Sequence, residues 1–333
     1  ANGGKGAAAL AYDRMDLNAD NNKLSGNNIA NATNGITFKA GALGSVNLTG
    51  GDVTTPTGQG HAFAGNSISP TASNNAPPTA LSLNNNSANA KNALSITAGQ
   101  DISIRATDST TVNSGNLGIA LGASRAYAQN LMHGSHNTFR GNNAATAANT
   151  ITLLAGHILL TAHDALQLSC DKAITSANNN ASGGDNNTII AANSAKSTAG
   201  ISFTSTIGGI TLQTVTGPIS IGDASVGSAY VGNFITNASN TKVTGANTAN
   251  TAFSIKLSAA AGVSLAAHQG VSLYAVRASA AAFNDAFVGD SNAVNGGNNT
   301  ASAINDIIIK AGTGVSISGN SVNISGNRAN ADA

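Results

Sequence analysis

Residues 94–104 read Leu94-Ser-Ile-Thr-Ala-Gly-Gln-Asp-Ile-Ser-Ile104, and this stretch decides the fold. Two short apolar-x-apolar segments flank a turn of small residues at Ala98-Gly99. Alternation with a period of two is typical of a β-strand that buries one face. Glycine in the turn permits the positive φ angle that a tight corner requires. The stretch therefore predicts two successive strands joined by a sharp bend.

The same pattern recurs along the chain at a spacing of 50–58 residues. The first strand of each copy begins at Ile36, Leu94, Ile151, Ile201, Phe253 or Ile307. A second alternating strand follows each of these, and a third follows in most copies, although it is weaker in the first two. Most copies then carry a small residue beside an aromatic, often before Asn, as in Ala62-Phe63-Ala-Gly-Asn66. Self-similarity at such a period is the sequence signature of a stacked repeat protein.

These repeats predict an all-β fold, a β-solenoid or β-helix-like array of about six repeats with uncapped ends. We expect a single array over residues 1–333. Its units are a half repeat at 1–35, repeats at 36–93, 94–150, 151–200, 201–252 and 253–305, and a half repeat at 306–333. The spacing leaves open whether each repeat makes one coil or several.

Stacked repeats should place equivalent apolar side chains in columns, with neighbours roughly 4.8 Å apart. Two such columns are predicted to be buried and in register. The first comprises Phe38, Ile96, Leu153, Phe203, Ile255 and Ile309, and the second comprises Leu48, Ile104, Leu160, Leu212, Leu265 and Ile317.

The composition is unusual for a soluble domain. Only 9% of the residues are charged, against about 25% on average, and the chain has 45 Asn and no Glu. Disorder is one interpretation of such a bias, and a β-sandwich is another. The 41% hydrophobic content and the regular apolar spacing favour the stacked repeat. A net charge of +1 disfavours nucleic acid as a partner, and no apolar run is long enough for a transmembrane helix.

The stretch 94–104 and the stretch Asp306-Ile-Ile-Ile-Lys-Ala-Gly-Thr-Gly-Val-Ser-Ile317 resemble the repeats of filamentous-haemagglutinin-type exoproteins, which are adhesins secreted by the two-partner pathway. The resemblance implies a right-handed β-helix, an extracellular location, and adhesion or scaffolding. It covers about half of each repeat, and the part rich in aromatics and Asn departs from that family's shorter repeat. The same pattern resembles the β-helical spikes of phages and secretion systems. The resemblance identifies no functional residue in this chain.

The best candidate for a metal site is the segment Asp16-Leu-Asn18-Ala-Asp20-Asn-Asn22. Oxygen ligands at alternate positions suit Ca²⁺, so Asp16, Asn18 and Asp20 form a weak calcium hypothesis, with a polar turn as the alternative. An EF-hand would carry Gly and Glu where this chain has Asn21 and Asn27. No other cofactor is expected.

The remaining reactive residue types do not suggest an enzyme. Catalytic β-helices cluster Asp, Lys and Arg on one face, whereas the aspartates here are scattered and no two repeats share a carboxylate pair. The His133-Gly-Ser-His136 segment, and His157 near His163, are interpreted as solvated polar residues because a metal site needs more ligands that converge. The single Cys170 is interpreted as a small buried hydrophobic residue. Flat Thr-x-Thr arrays, which ice binding would require, are missing from the sequence.

The two ends of the chain suggest an assembly. Residues 306–333 look like the first part of a repeat and residues 1–35 look like the second part, and neither end shows a polar cap. We therefore expect copies to associate head to tail as an extracellular structural filament, with self as the main partner and a cell surface or matrix as a further one. The alternative is a fragment of a large secreted bacterial adhesin that binds host or surface ligands. A phage or secretion-system fibre is a third possibility.

Overall fold

A computed structural model describes residues 7–17, 22–24, 27–50, 53–57, 59–70, 80–82, 85–106, 115–222, 226–287, 290–296 and 298–333. Strands make up 75% of the structure, against about 20–25% in an average soluble protein. No helix occurs in these ranges, and so none there is long and apolar enough to cross a membrane. The prediction of an all-β fold is confirmed.

The strands are numbered in chain order. They are β1 Ala7–Leu17, β2 Asn22–Leu24, β3 Asn28–Lys39, β4 Val46–Gly50, β5 Val53–Thr57, β6 Gly60–Pro70, β7 Ala80–Ser82, β8 Asn86–Thr97, β9 Asp101–Ala106, β10 Leu117–Leu121, β11 Ser124–His133, β12 Thr138–Arg140, β13 Asn143–Ala155, β14 His157–Ala162, β15 Leu166–Cys170, β16 Ala173–Ser182, β17 Thr188–Ile190, β18 Asn193–Ser205, β19 Ile210–Thr214, β20 Ile219–Ile221, β21 Val226–Thr236, β22 Lys242–Gly245, β23 Asn247–Ala259, β24 Val263–Ala266, β25 Gly270–Phe287, β26 Ala293–Gly296, β27 Thr300–Ala311, β28 Val315–Ser318 and β29 Ser321–Asp332.

Four parallel sheets are built from these strands. The front sheet has the order β27-β23-β18-β13-β8-β3, and the side sheet has the order β28-β24-β19-β14-β9-β4. The back sheet is 11-stranded and contains β1, β5, β6, β10, β11, β15, β16, β20, β21, β25 and β29, whereas the corner sheet has the order β2-β7-β12-β17-β22-β26.

The chain visits the sheets in a constant order, which is front, side, back and corner. We call one such passage a pass. Each strand pairs in parallel with its equivalent one pass later, as Ile158 does with Ile210 and Ile210 with Val263. The pairing shows that the chain adds one strand to the front sheet for each repeat of the pattern.

The core lies between the inward faces of these sheets. Burial alternates along the front strands because successive side chains point to opposite faces. The second predicted column is confirmed in its register, with Ile104, Leu160, Leu212 and Leu265 fully buried. Its end members Leu48 and Ile317 are only partly buried.

The first predicted column was wrong at one position. Phe203 pairs with Leu257, and Ile255 pairs instead with Ile201. The sequence Phe253-Ser-Ile255-Lys-Leu257 carries three apolar residues with the period of a strand, so two alignments fit it equally well. The observed one seats Phe253 beside Ala199, where the small alanine leaves room for the ring.

One corner shows why glycine is needed there. Gly222 follows β20 with a φ angle of +85°, which is a left-handed conformation that L side chains rarely adopt. A Cβ atom at this position would lie 2.0 Å from the Tyr274 carbonyl oxygen of the next pass. The bend that follows the short strand β20 in the back sheet therefore depends on this residue.

Candidate functional site

The interior contains a continuous ladder of asparagines, formed where the front and back sheets face each other. Its front column is Asn28, Asn86, Asn143, Asn193 and Asn247, and its back column is Asn66, Asn130, Asn179, Asn233 and Asn284. All of these except Asn284 are buried.

Each amide of the ladder except those of Asn247 and Asn284 donates along the stack to both columns. Asn143 Nδ2 donates to Asn179 Oδ1 at 2.8 Å and to Asn193 Oδ1 at 3.0 Å. Asn179 Nδ2 in turn donates to Asn193 Oδ1 at 3.0 Å and to Asn233 Oδ1 at 2.8 Å. Every donor points toward the C-terminal passes, so the ladder has a direction. Buried amides are tolerated here because stacking gives them partners above and below.

Strand alternation explains how the sequence builds the back column. In Ala229-Tyr230-Val-Gly-Asn233, the residues Ala229, Val231 and Asn233 point inward and are buried, while Tyr230 is only partly covered on the outer face. The aromatic–Asn element thus splits between the two faces of the sheet. Stacked repeats predict that identical Asn side chains can form ladders, but the sequence did not identify these ten members, because the role of each Asn depends on its equivalents in other passes.

A second set of asparagines fixes the corner before the front sheet. The backbone N–H of Asn85 donates to Asn27 Oδ1 at 3.2 Å, that of Asn142 to Asn85 Oδ1 at 2.8 Å, and that of Ala192 to Asn142 Oδ1 at 2.9 Å. Each side chain satisfies a backbone donor of the following pass. The corners are therefore held in register by side chains as well as by strand pairing.

The calcium hypothesis is not tested by the structure. Asp16 lies in β1, where its backbone pairs with Ser69, but its side chain and the whole of Asn18 and Asp20 lie outside the described residues. Among the residues that are described, no group of three or more His, Cys, Asp or Glu side chains is placed to hold a metal ion.

Two histidine–aspartate pairs lie on the outer surface. His157 Nδ1 is 3.0 Å from Asp101 Oδ1, and His163 Nδ1 is 2.9 Å from Asp164 Oδ1. Hydrogen bonds from the His163 side chain, the Gly115 backbone N–H and the Thr216 hydroxyl lower the pKa of Asp164 below its ordinary value. The pairs occupy neighbouring corners and do not converge with a nucleophile.

The single thiol is buried. Cys170 ends β15 with no solvent exposure, and its Sγ donates to the Gly200 carbonyl at 3.4 Å. Burial raises the pKa of this thiol to about 12, so the reactive thiolate is scarce at neutral pH. Cys170 therefore acts as a small core residue.

The last pass presents apolar side chains to solvent. Val271 and Leu273 are 2% and 0% exposed, whereas their partners in the next pass, Val322 and Ile324, are 47% and 48% exposed. Val315 is 49% exposed, although its partner Val263 is 1% exposed. Strands β27, β28 and β29 each pair with a neighbour on one side only within the described chain. Within the described chain, this last pass is therefore an edge with an apolar stripe.

Comparison with known proteins does not identify the chain. No family model matches it, and neither the curated proteins nor the solved structures include a significant match.

Proposed function

We propose that this protein is an extracellular structural protein, a β-solenoid-like array that assembles head to tail into filaments by strand stacking between copies. The observation that carries the proposal is the open edge at β27, β28 and β29. Such an edge offers unpaired backbone groups together with apolar surface, and both favour the addition of further strands. The repeats of the sequence resemble those of filamentous-haemagglutinin-type exoproteins, and this resemblance supports an extracellular location and a scaffolding role. We do not expect catalysis.

The pairing pattern specifies the joint. In the proposed filament, β27 of one copy pairs with β3 of the next, and β28 pairs with β4, because these strands belong to the same sheets. Ile36 and Phe38 on β3 are partly buried core residues, as are Ile307 and Ile309 on β27. Docking would cover both sets and continue the apolar columns across the joint.

The register also predicts a local adjustment at the joint. Through successive back-sheet pairs, residues 7–10 and 329–332 occupy equivalent positions. The two segments cannot fill the same place in one layer, so one of them must be displaced when copies join. The overlap is confined to the back sheet, and the front and side strands remain free to pair.

The test uses charge placed on the open edge. We expect the full-length chain to form concentration-dependent polymers in sedimentation velocity and rods in electron micrographs. The double variant Val322→Lys/Ile324→Lys should stay monomeric, because two buried charges at the joint would lack partners. The matched control is Ile207→Lys/Val215→Lys, which adds the same charge at turn positions that are 67% and 52% exposed. This control should still polymerise.

Two outcomes contradict the proposal. If the full-length chain remains monomeric at high concentration, the edge is not a joint, and the interpretation as a segment of a larger adhesin gains support. If the control variant blocks polymers as completely as the edge variant, association occurs through the sides of the array.

A further inference from the structure

The outer face of the front sheet carries a segregated positive charge. Its outward positions include Lys39, Lys91, Lys196, Lys256 and Lys310, all of them exposed. Every residue of the six front strands is described, and Asp306 is the one carboxylate on this face. The whole chain has a net charge of only +1, so this face is much more basic than the molecule.

The other aspartates whose side chains are described lie off this face. Asp101, Asp164, Asp171, Asp185 and Asp290 stand at corners or at the start of a side strand. The ion pairs found in the described part of the chain join histidines to aspartates and involve none of the five front lysines. The ammonium groups of these five lysines are therefore available to an external anion.

The rest of this face is flat and hydroxylated. Ser or Thr fills nearly half of the outward positions, and no aromatic residue occurs among them. Thr37, Ser95, Thr152 and Ser202 form one column of hydroxyls in consecutive passes. Six strands of about twelve residues give a surface of roughly 25 by 40 Å. The lysines are spread over this area and do not form a single pocket.

We infer that the outer face of the front sheet binds an acidic polysaccharide that carries carboxylate groups. The five ammonium groups would contact carboxylates spaced along an extended chain, and the Ser and Thr hydroxyls would hydrogen-bond the sugar hydroxyls. Charge complementarity identifies the partner, since a flat face of one sign suits a linear polymer of the opposite sign. This inference does not depend on filament formation.

The residue types favour a carboxylated glycan over other polyanions. Arg, whose planar fork suits phosphate and sulfate, is missing from the front strands, and every cation there is a lysine. Single-stranded nucleic acid is bound through aromatic stacking, which this face lacks. Membrane binding needs an apolar face that inserts between lipids, whereas the exposed Ile29, Leu154 and Ile304 lie on three different strands among mostly polar residues.

The experiment uses polygalacturonate as the probe and its fully methyl-esterified form as the matched ligand without charge. We expect the full-length chain to bind the acidic polymer, with weaker binding as salt rises from about 50 to 200 mM. The neutral ester should bind at least about tenfold more weakly because no ion pair remains. Titration calorimetry or affinity electrophoresis measures both.

Substitutions locate the site. Lys91→Gln/Lys196→Gln/Lys256→Gln should weaken binding by about ten- to a hundredfold, since each exposed ion pair contributes up to about fivefold. The matched control, Arg140→Gln/Lys172→Gln/Lys242→Gln, removes the same charge from exposed positions off this face and should change binding less than about twofold. Circular dichroism of both triple variants should match that of the original chain.

Several results would overturn the inference. One is no measurable binding of polygalacturonate, and another is equal weakening by both triple variants. Tighter binding of single-stranded DNA, or of vesicles with anionic lipid, than of polygalacturonate at the same salt would assign the face to a different partner.

Discussion

Replacing one asparagine in the middle of the interior ladder should destabilise the fold strongly. Asn179 is 1% exposed. It accepts hydrogen bonds from Asn130 and Asn143 at 2.8 Å each, and donates to Asn193 at 3.0 Å and to Asn233 at 2.8 Å. The variant Asn179→Leu keeps a similar side-chain volume and removes all four bonds, so it tests the polar contacts with little change in packing.

The size of the loss in unfolding free energy depends on the hydrogen bonds that the four partners of Asn179 keep. A buried hydrogen bond contributes about 0.5–1.5 kcal/mol net to the free energy of unfolding. Each of the four partners keeps another bond within the ladder, as Asn143 does with Asn193 at 3.0 Å, so none is left wholly unsatisfied. Burial of the apolar leucine side chain also offsets part of the lost stability. We therefore expect a loss of about 2–4 kcal/mol, which lowers the Tm by about 3–6 °C in a chain of this size.

Thermal unfolding followed by circular dichroism measures the change, and urea unfolding checks it independently. Asn89→Ala is the control, because Asn89 bonds Asn31 at 2.9 Å on the exposed outer face of the same sheet. That variant should lie within about 0.5 kcal/mol of the original chain. A Tm for Asn179→Leu equal to that of the control would refute the view that the ladder stabilises the fold.

Three further predictions concern the core, the thiol and acid stability. Leu160→Ala should lower the unfolding free energy by about 2–5 kcal/mol because the side chain is fully buried. Leu159→Ala is the control, and at a position 42% exposed it should lower the unfolding free energy by less than about 1 kcal/mol. Urea unfolding of both variants measures the difference. Cys170 should react with a thiol reagent only after denaturation, since the thiol is buried and its pKa is about 12, and fast labelling of the native chain would show that β15 opens. The pKa of Asp164 is lowered in the fold, so its contribution to stability is present above the ordinary value of 3.8 and is lost as the pH falls through the lower folded value. Asp164→Asn should flatten that part of the Tm–pH curve, and an unchanged curve would show that the His163 contact does not matter.

The repeated strands could be predicted from the sequence because burial alternates with the strand period. Ile102-Ser-Ile104 and Ile210-Thr-Leu212 place two apolar side chains on one face of a short segment. Pairing between equivalent strands follows from the constant spacing. The register of the fifth repeat was not predictable, since a shift of two residues along Phe253-Ser-Ile255-Lys-Leu257 keeps the same face buried. Only packing against the preceding pass selects the observed alignment.

The members of the asparagine ladder could not be identified from the sequence for a different reason. Asparagine is depleted in strands and common in turns, so the sequence alone does not indicate which asparagines of a repeat lie inside strands. In the structure, Asn143 and Asn193 begin long front strands and are buried. One such residue alone would bury an unsatisfied amide. The ladder bonds of Asn143 come from asparagines 13 to 57 residues away in the sequence, and no property of a single repeat reveals that cooperation.

Stacking also explains why the chain has so few charges. Equivalent residues in neighbouring passes lie about 4.8 Å apart, and like charges directly opposite each other are destabilising. On the front sheet, Lys196 stands between Thr146 and Asn250, and Lys256 stands between Ser202 and Ile308. None of the five front lysines has another lysine as its paired neighbour. A parallel stack therefore limits how many like charges one column of equivalent residues can hold. A basic face has to distribute its lysines over several columns. That geometry suits a long polymer with spaced carboxylates better than a compact anion.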